Sequence, residues 1–494
     1  MEFSTFLLYN KLVIEIGSEV MANEVKEITS RDVNFAKWYT DVVKKADLVD
    51  YSSVKGSMII RPYGYAIWEN MQKILDEKFK ETGHENVQMP MFIPESLLNV
   101  EKEHVEGFAP EVAWVTHGGS EKLEERMCVR PTSEVLFCEH FEKIINSYRD
   151  LPKLYNQWCT IVRWEKTTRP FLRSREILWQ EGHTMHATSE EAKEETLRML
   201  KVYEDFQRNV LALPVIVGKK TDKEKFAGAE ASYTLEAMMY DGVALQNGTS
   251  HYFGNHFAEA FGIKFLNKDN KFEAPYQTSW GVTTRMIGSI IMTHGDDNGL
   301  VLPPNIAPFK TIIIPIGKDD SVKDKAMEIM NNLKNNNITT KIDLTEKSPG
   351  FKFAEAEVKG YPVRIEVGPR DLANGVVTLA RRDTFEKIQV KVEDVVSEVE
   401  KLLVDIQNNL YDRALKRRES MTYEALNYEE FTEIANTKPG FIKVNWCGDV
   451  ACENKIKDDF GIKSRCLIED EAVTGKCVVC GKDAKHRVYF GRQY

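Results

Sequence analysis

Between residues 65 and 81 apolar positions return with the period of a helix and polar ones fill the opposite side, so this stretch is predicted to be an amphipathic helix. Short stretches follow in which apolar and polar residues alternate and aromatics are frequent, the pattern of half-buried strands. Leu302-Pro303-Pro304 breaks the pattern and reads as a linker. Residues 31–304 are thus expected to form one large α+β unit. A strand–helix alternation begins after it: a β-rich run at 311–316, helical spacing at 321–335, strands at 338–344, 363–367 and 376–379, and a helix from 392. This predicts a compact α/β unit on a parallel or mixed sheet. From about Asn408 a basic helix carrying Arg413, Lys416, Arg417 and Arg418 leads into a small cysteine-bearing tail. No repeat or low-complexity segment is visible.

A chain of 494 residues is too long for one core, in keeping with two to four domains. No apolar run approaches the ~20 residues of a membrane-spanning helix, so no membrane is expected. Lys11 and Glu15 interrupt the apolar start and no cleavage site follows, which argues against a signal peptide. Met21 opens a polar segment, so the first twenty residues read as an extension or an upstream start. The net charge of −10 sits wholly in residues 1–308, with 35 basic and 45 acidic side chains; the remainder is neutral. That argues against non-specific nucleic-acid binding by the whole surface. Of eight cysteines, Cys128, Cys138 and Cys159 stand singly among apolar residues and read as buried thiols. Five crowd into the tail, a metal pattern more than a disulfide one, and the expected compartment is the cytoplasm.

Cys447-x4-Cys452 and Cys477-Val-Val-Cys480-Gly together suggest a closed tetrahedral zinc site, with Cys466 between the pairs as a competing ligand. The richest chemistry lies at 161–183. Arg163 and Glu165 share one side of a predicted strand, Trp179, Glu181 and His183 one side of another, and a Pro-containing loop with Arg169, Arg173 and Arg175 joins them. Such a hairpin can grip phosphate oxygens with bidentate arginines; it can equally be a surface hairpin laced with ion pairs. Arg130-Pro-Thr132-Ser-Glu134 sets a hydroxyl and a carboxylate two positions apart, suited to a substrate ammonium or imino group. Gly281-Val-Thr283-Thr-Arg285-Met-Ile-Gly288 puts an arginine where a strand runs into a helix, a place to meet terminal phosphates.

These segments resemble known motifs. Arg163-x-Glu165 with Arg173 is similar to motif 2 of the class II aminoacyl-tRNA synthetases, the Arg285 segment to motif 3, and the 65–83 helix with Gln88-Met89-Pro90 to motif 1. More narrowly, Arg130–Glu134, Phe108–Thr116 and Leu178–His183 resemble prolyl-tRNA synthetases of the archaeal and eukaryote-like type, from about residue 30 to the end. The resemblance implies an N-terminal extension at 1–30 and an antiparallel catalytic sheet with flanking helices at 31–304. An α/β anticodon-binding domain would follow at 305–407, and a zinc-containing domain at 408–494, with Cys447, Cys452, Cys477 and Cys480 as ligands. It implies ATP with Mg²⁺, L-proline and tRNA(Pro) as substrates and partners, and a homodimer. Thr132 and Glu134 would bind the imino group, and Arg163 would bridge proline carboxylate and α-phosphate. Glu165 would contact adenine; Arg173 and Arg285 would hold the outer phosphates, with Ser174 and Thr283 beside them. Gln246, Thr249 and His251 would complete the nucleotide and proline sites, and Phe108, Trp179 and His183, with Glu181, would wall the pyrrolidine ring. Arg163 and Arg285 would carry the catalysis; no general base is implied. The last residue, Tyr494, would reach back to the catalytic domain.

Ile177 departs from the family, which usually has phenylalanine there as an adenine platform; losing that aromatic face is worth about 1 kcal/mol. Two other readings are a non-catalytic paralogue and a synthetase for threonine or serine. The first is opposed by the retained Arg163, Arg173, Arg285 and Glu134. The second would want a metal or polar ligand set in the amino-acid pocket, and residues 31–304 offer no cysteine–histidine set.

Overall fold

In the computed structural model, residues 27–100 and 112–494 are described; residues 1–26 of the expected extension, and Phe108, lie outside them. Seven strands make the central sheet: β1 (Glu85–Asn86), β2 (Lys153–Val162), β3 (Glu176–His186), β4 (Ile216–Lys219), β5 (Ala231–Met238), β6 (Ala244–Gly254) and β7 (Tyr276–Thr283). Their order is β1-β2-β3-β7-β6-β5-β4. All neighbours are antiparallel except the two-residue β1–β2 pairing.

One face of this sheet is apolar and covered by helices. The Pro62–Glu81 helix starts three residues before the predicted stretch because a proline suits the first helical position. It buries Ile67, Trp68, Met71, Leu75 and Phe79. The Ser189–Asn209 helix, capped by the Thr188 hydroxyl, buries Met199, Leu200, Tyr203 and Phe206 in the same core. Trp280 fits there only because its cross-strand partner is Gly182, whose added Cβ would lie 2.1 Å from the indole. The opposite face is left polar, and it is the face that matters for function.

The second unit has a mixed five-stranded sheet in the order Thr340–Ile342, Thr311–Pro315, Val363–Val367, Val376–Arg381, Lys387–Lys391, with the first two pairings parallel and the others antiparallel. The strand expected at 338–344 is only three residues long. The strand Lys387–Lys391 and the helix Pro349–Val358 were not legible; Gly350 blurred a helix that Ser348 caps and Pro349 starts. The basic helix expected from Asn408 is the second half of one continuous helix, Val395–Ser420. A four-stranded sheet follows, ordered Thr422–Ala425, Phe441–Trp446, His486–Gly491, Lys463–Ile468. Arg382 joins the second unit to the first through a bidentate pair with Asp296 at 2.6 and 2.7 Å.

Candidate active site

Register decides which side chains share the polar face, because paired residues point to the same side of a sheet. β3 and β7 set Trp179 opposite Thr283, Glu181 opposite Gly281 and His183 opposite Ser279. β6 adds Thr249 opposite Gly281 and His251 opposite Ser279. Over them lies a cavity of about 210 Å³. Its walls bring together Thr132, Glu134, Arg163, Arg173, Ser174, Trp179, Glu181, His183, Gln246, Thr249, His251, Thr283 and Arg285, and Ile177 as well.

One end of the cavity is built for a cationic group. Thr132 Oγ1 donates to Glu134 Oε2 at 2.5 Å, both residues being buried. Glu181 is held from several sides: Ser133 Oγ and Gln157 Nε2 donate to one oxygen at 2.6 Å each, and His183 Nε2 lies 3.0 Å from the other. Burial alone would raise the Glu181 carboxyl, but His183, Ser133 and Gln157 outweigh it and hold it below the ordinary range. With its oxygens so engaged, Glu181 orients His183, whose ring stacks on Phe137 at 4.2 Å. His251 bonds Ser232 Oγ at 2.8 Å and Thr249 Oγ1 at 3.0 Å. Burial, then Lys220 and His183, push its ring down to about 3, so it is neutral.

The other end collects cations. Arg285 begins a helix at the end of β7, its N–H donating to Thr283 Oγ1 at 3.0 Å, and its guanidinium donates to Leu172 O and Gln246 O at 3.3 and 3.2 Å. Burial, and then the like charges of Arg163 and Arg173, pull it down to about 10; it stays protonated at neutral pH. Arg163 donates from Nε to Pro131 O at 3.1 Å and lies 5.3 Å from the Trp179 ring. Three guanidiniums converging on one cavity are a site for a polyanion.

One sequence expectation needs correction, and three residues need adding. Arg163 and Glu165 do not sit side by side on a strand: β2 ends at Val162, and Glu165 N–H turns back to Arg163 O at 2.7 Å. Glu165 does not itself line the cavity, but it lies 3.4 Å from Nη1 of Arg173, which does. Lys220, Glu224 and Phe226, in the β4–β5 loop, line the cavity and were missed; Phe226 sets its ring 4.7 Å from His251. The only signal was an aromatic inside the charged run Lys223-Glu224-Lys225-Phe226.

In the tail, the sulfurs of Cys447, Cys452, Cys477 and Cys480 lie within 4.8 Å of one another, and two of the separations are 3.7 Å. Four thiolates about 2.3 Å from one zinc ion stand roughly 3.8 Å apart at a tetrahedron's edges, so the set fits zinc. Cys466 is buried elsewhere, against Gly218 of β4. The chain's end pairs with β6: Ala244 N–H donates to Arg492 O at 2.8 Å, and Tyr494 N–H to Ala244 O at 3.1 Å. The Tyr494 hydroxyl donates to Asp241, and its ring lies 5.9 Å from the Arg169 guanidinium.

Residues 114–294 match the family "tRNA synthetase class II core domain (G, H, P, S and T)". Residues 310–402 match "Anticodon binding domain", and 428–494 match "Prolyl-tRNA synthetase, C-terminal". The chain is 61% identical to a "Proline--tRNA ligase" of Clostridium novyi, over 95% of this chain and 98% of that one. It is 59% identical to a "Proline--tRNA ligase 2" of Bacillus cereus, over 96% and 100%. A crystal structure of prolyl-tRNA synthetase from Cryptosporidium parvum, complexed with halofuginone and AMPPNP, is similar with a TM-score of 0.90 and 38% identity, covering 94% of this chain and 99% of that one.

Proposed function

The chain belongs to the prolyl-tRNA synthetase family and is a proline--tRNA ligase, and from that premise we propose how its cavity works. L-Proline and ATP meet between the Thr132–Glu134 pair and the three arginines. The imino group rests on Glu134 and Thr132, the ring against Trp179, His183 and Phe226, with Phe108 added from outside the described residues. Arg163 spans the proline carboxylate and the α-phosphate, while Arg173 and Arg285 hold the outer phosphates with Ser174 and Thr283. Gln246, Thr249 and His251 complete the floor, and Glu165 reaches adenine from the loop beyond β2. The carboxylate attacks the α-phosphate in line, pyrophosphate leaves, and the prolyl group passes to a ribose hydroxyl at the 3′ end of tRNA(Pro). Fixed arginines stabilise the charge that builds on the transferring phosphorus, so positioning and electrostatics do the work and no nucleophilic side chain is needed.

The observation that carries this reading is the convergence of Arg163, Arg173 and Arg285 on a cavity that also holds the buried Thr132–Glu134 pair. The similar structure complexed with AMPPNP supports nucleotide binding by this chain. Mg²⁺ accompanies ATP in this family; with arginines rather than a carboxylate cage at that end, phosphate oxygens and water would supply most of its ligands. Zinc in the four-cysteine set would stiffen the tail and take no part in the reaction.

Further readings belong with this one. The units are bounded at 31–304, 305–407 and 408–494, after an extension at 1–30. No editing domain lies in cis, since residues 182–245 are taken up by the end of β3, the Ser189–Asn209 helix, β4, the cavity loop, β5 and the start of β6. The resemblance of the Pro62–Glu81 helix to motif 1 supports a homodimer. No described helix is long and apolar enough to cross a membrane, and the free cysteines support a cytoplasmic site of action.

The test is Arg163→Ala in proline-dependent exchange of pyrophosphate into ATP. Loss of a charge-assisted transition-state contact costs roughly 3 kcal/mol or more, about a hundredfold. A folded variant within tenfold of the parent overturns the assignment.

A further inference from the structure

β5 and β6 set Ser232 opposite His251, and the floor of the cavity depends on how that pair shares its protons. Ser232 is fully buried. Among the described residues its hydroxyl has two partners: the Phe226 N–H donates to Ser232 Oγ at 2.9 Å, and His251 Nδ1 lies 2.8 Å away. Phe226 can only donate, so the one acceptor open to the hydroxyl proton is the Nδ1 lone pair. The other arrangement, Nδ1–H donating to Ser232, would leave a buried O–H with no acceptor, which is the costly case. His251 is neutral and carries one ring proton, and that proton is therefore on Nε2. Nε2 lies 3.0 Å from Thr249 Oγ1 and donates to it. Thr249 then has to place its own hydroxyl proton elsewhere. It is partly exposed on the cavity wall, and no acceptor for it is found among the described residues.

We propose that Ser232 is a positioning residue for the active site: by donating to Nδ1 it fixes His251 as the Nε2–H tautomer, and so makes the Thr249 hydroxyl a donor to a substrate oxygen. The register says where that oxygen lies. Thr249 and Glu181 flank Gly281, which has no side chain, between the His183–Ser279–His251 row and the Trp179–Thr283 pair, next to which Arg285 begins its helix. The hydroxyl therefore borders open floor between the amino-acid end and the arginine end, where carboxylate and α-phosphate meet. The acceptor is an anionic oxygen of one or the other. With the opposite tautomer Nε2 would draw the same hydroxyl to itself, and the substrate would lose the bond. The inference rests on the cavity being the proline and ATP site.

Two measurements on the full chain test it. In protein with nitrogen-labelled histidine rings, the His251 signal, identified by its loss in His251→Gln, should report Nε2 protonated and Nδ1 bare. A protonated Nδ1 overturns the inference, whether or not any other variant folds. Kinetics of proline-dependent pyrophosphate exchange supply the second measurement. Thr249→Val is expected to lower kcat/KM about tenfold or more, the scale of a hydrogen bond to a charged group. Ser232→Ala should lower it by no more than that, because it frees the ring to accept from Thr249. Combined with Thr249→Val it should add nothing, the mark of two residues acting as a unit. A loss that came from loosening the Phe226 loop would persist in the Thr249→Val background, so additive losses overturn the inference, as does full activity in Thr249→Val. A change carried by KM for ATP identifies the nucleotide oxygen as the acceptor, and one carried by KM for proline the carboxylate. Ser232→Ala and Thr249→Val moving different constants contradicts a shared path. Absence of proline-dependent exchange in the parent chain would instead overturn the reading of the cavity, with the ring signal still deciding the tautomer.

Discussion

His294 illustrates what a buried position does to one side chain. It sits at the end of the helix begun by Arg285, its Nε2 3.1 Å from Leu211 O. Burial drives its ring down to about 3, as it drives His186 to about 4 and His251 to about 3. These rings stay neutral in the fold, whereas the unfolded chain protonates them below pH ~6.5. Stability is therefore full above that value and falls as the pH drops towards 3 or 4. Between pH 6.5 and 5.5 each ring should cost about 1 kcal/mol. Denaturant titrations of the parent and His294→Gln should show their stability difference narrowing by about that amount over this interval; parallel curves would contradict it. At this scale the sequence disclosed much of the site, since the alternation of Trp179, Glu181 and His183 already put them on one face. Lys220 and Glu224 stayed hidden because they lie in the loop between β4 and β5, and a loop has no period. Glu165 was misplaced because sequence alternation does not say where a ladder stops.

Among the elements, regular strands such as Val363–Val367 were read closely and short or glycine-marked ones poorly. The long helix Val395–Ser420 was read as two pieces because its apolar core face, Val399, Leu402, Leu403 and Ile406, gives way to the basic run at Arg413–Arg418. The cysteine pairs were legible from spacing alone, but the exclusion of Cys466 was not. It lies on the Lys463–Ile468 strand, whose contact with β4 takes that thiol away from the other four. Elemental analysis of protein purified without chelator should find one zinc per chain. Cys477→Ser should release it and loosen the tail while the catalytic unit stays folded. Metal-free protein with an intact tail would remove zinc from the description.

Across the whole molecule, three units were visible as changes of pattern, but their docking was not. Arg382–Asp296, Arg465–Glu236 and the pairing of Ala244 with the chain's last residues join segments far apart in sequence, and no local pattern encodes them. On the proposed reading no hydrolytic domain is inserted between β3 and β6, because residues 187–243 are taken up by the Ser189–Asn209 helix, β4, the cavity loop and β5. A pocket shaped for proline rejects a smaller apolar substrate through lost contact only, roughly 10–200-fold. Alanyl-tRNA should accordingly form slowly and persist; its rapid deacylation by the purified protein would contradict this. The most direct test of the assignment is amino-acid-dependent exchange of pyrophosphate into ATP, run with each of the twenty amino acids. The expected result is exchange with proline, a rate with alanine about two orders of magnitude lower, and none above background with threonine or serine. Exchange driven best by threonine or serine, or no exchange with proline at all, would contradict it.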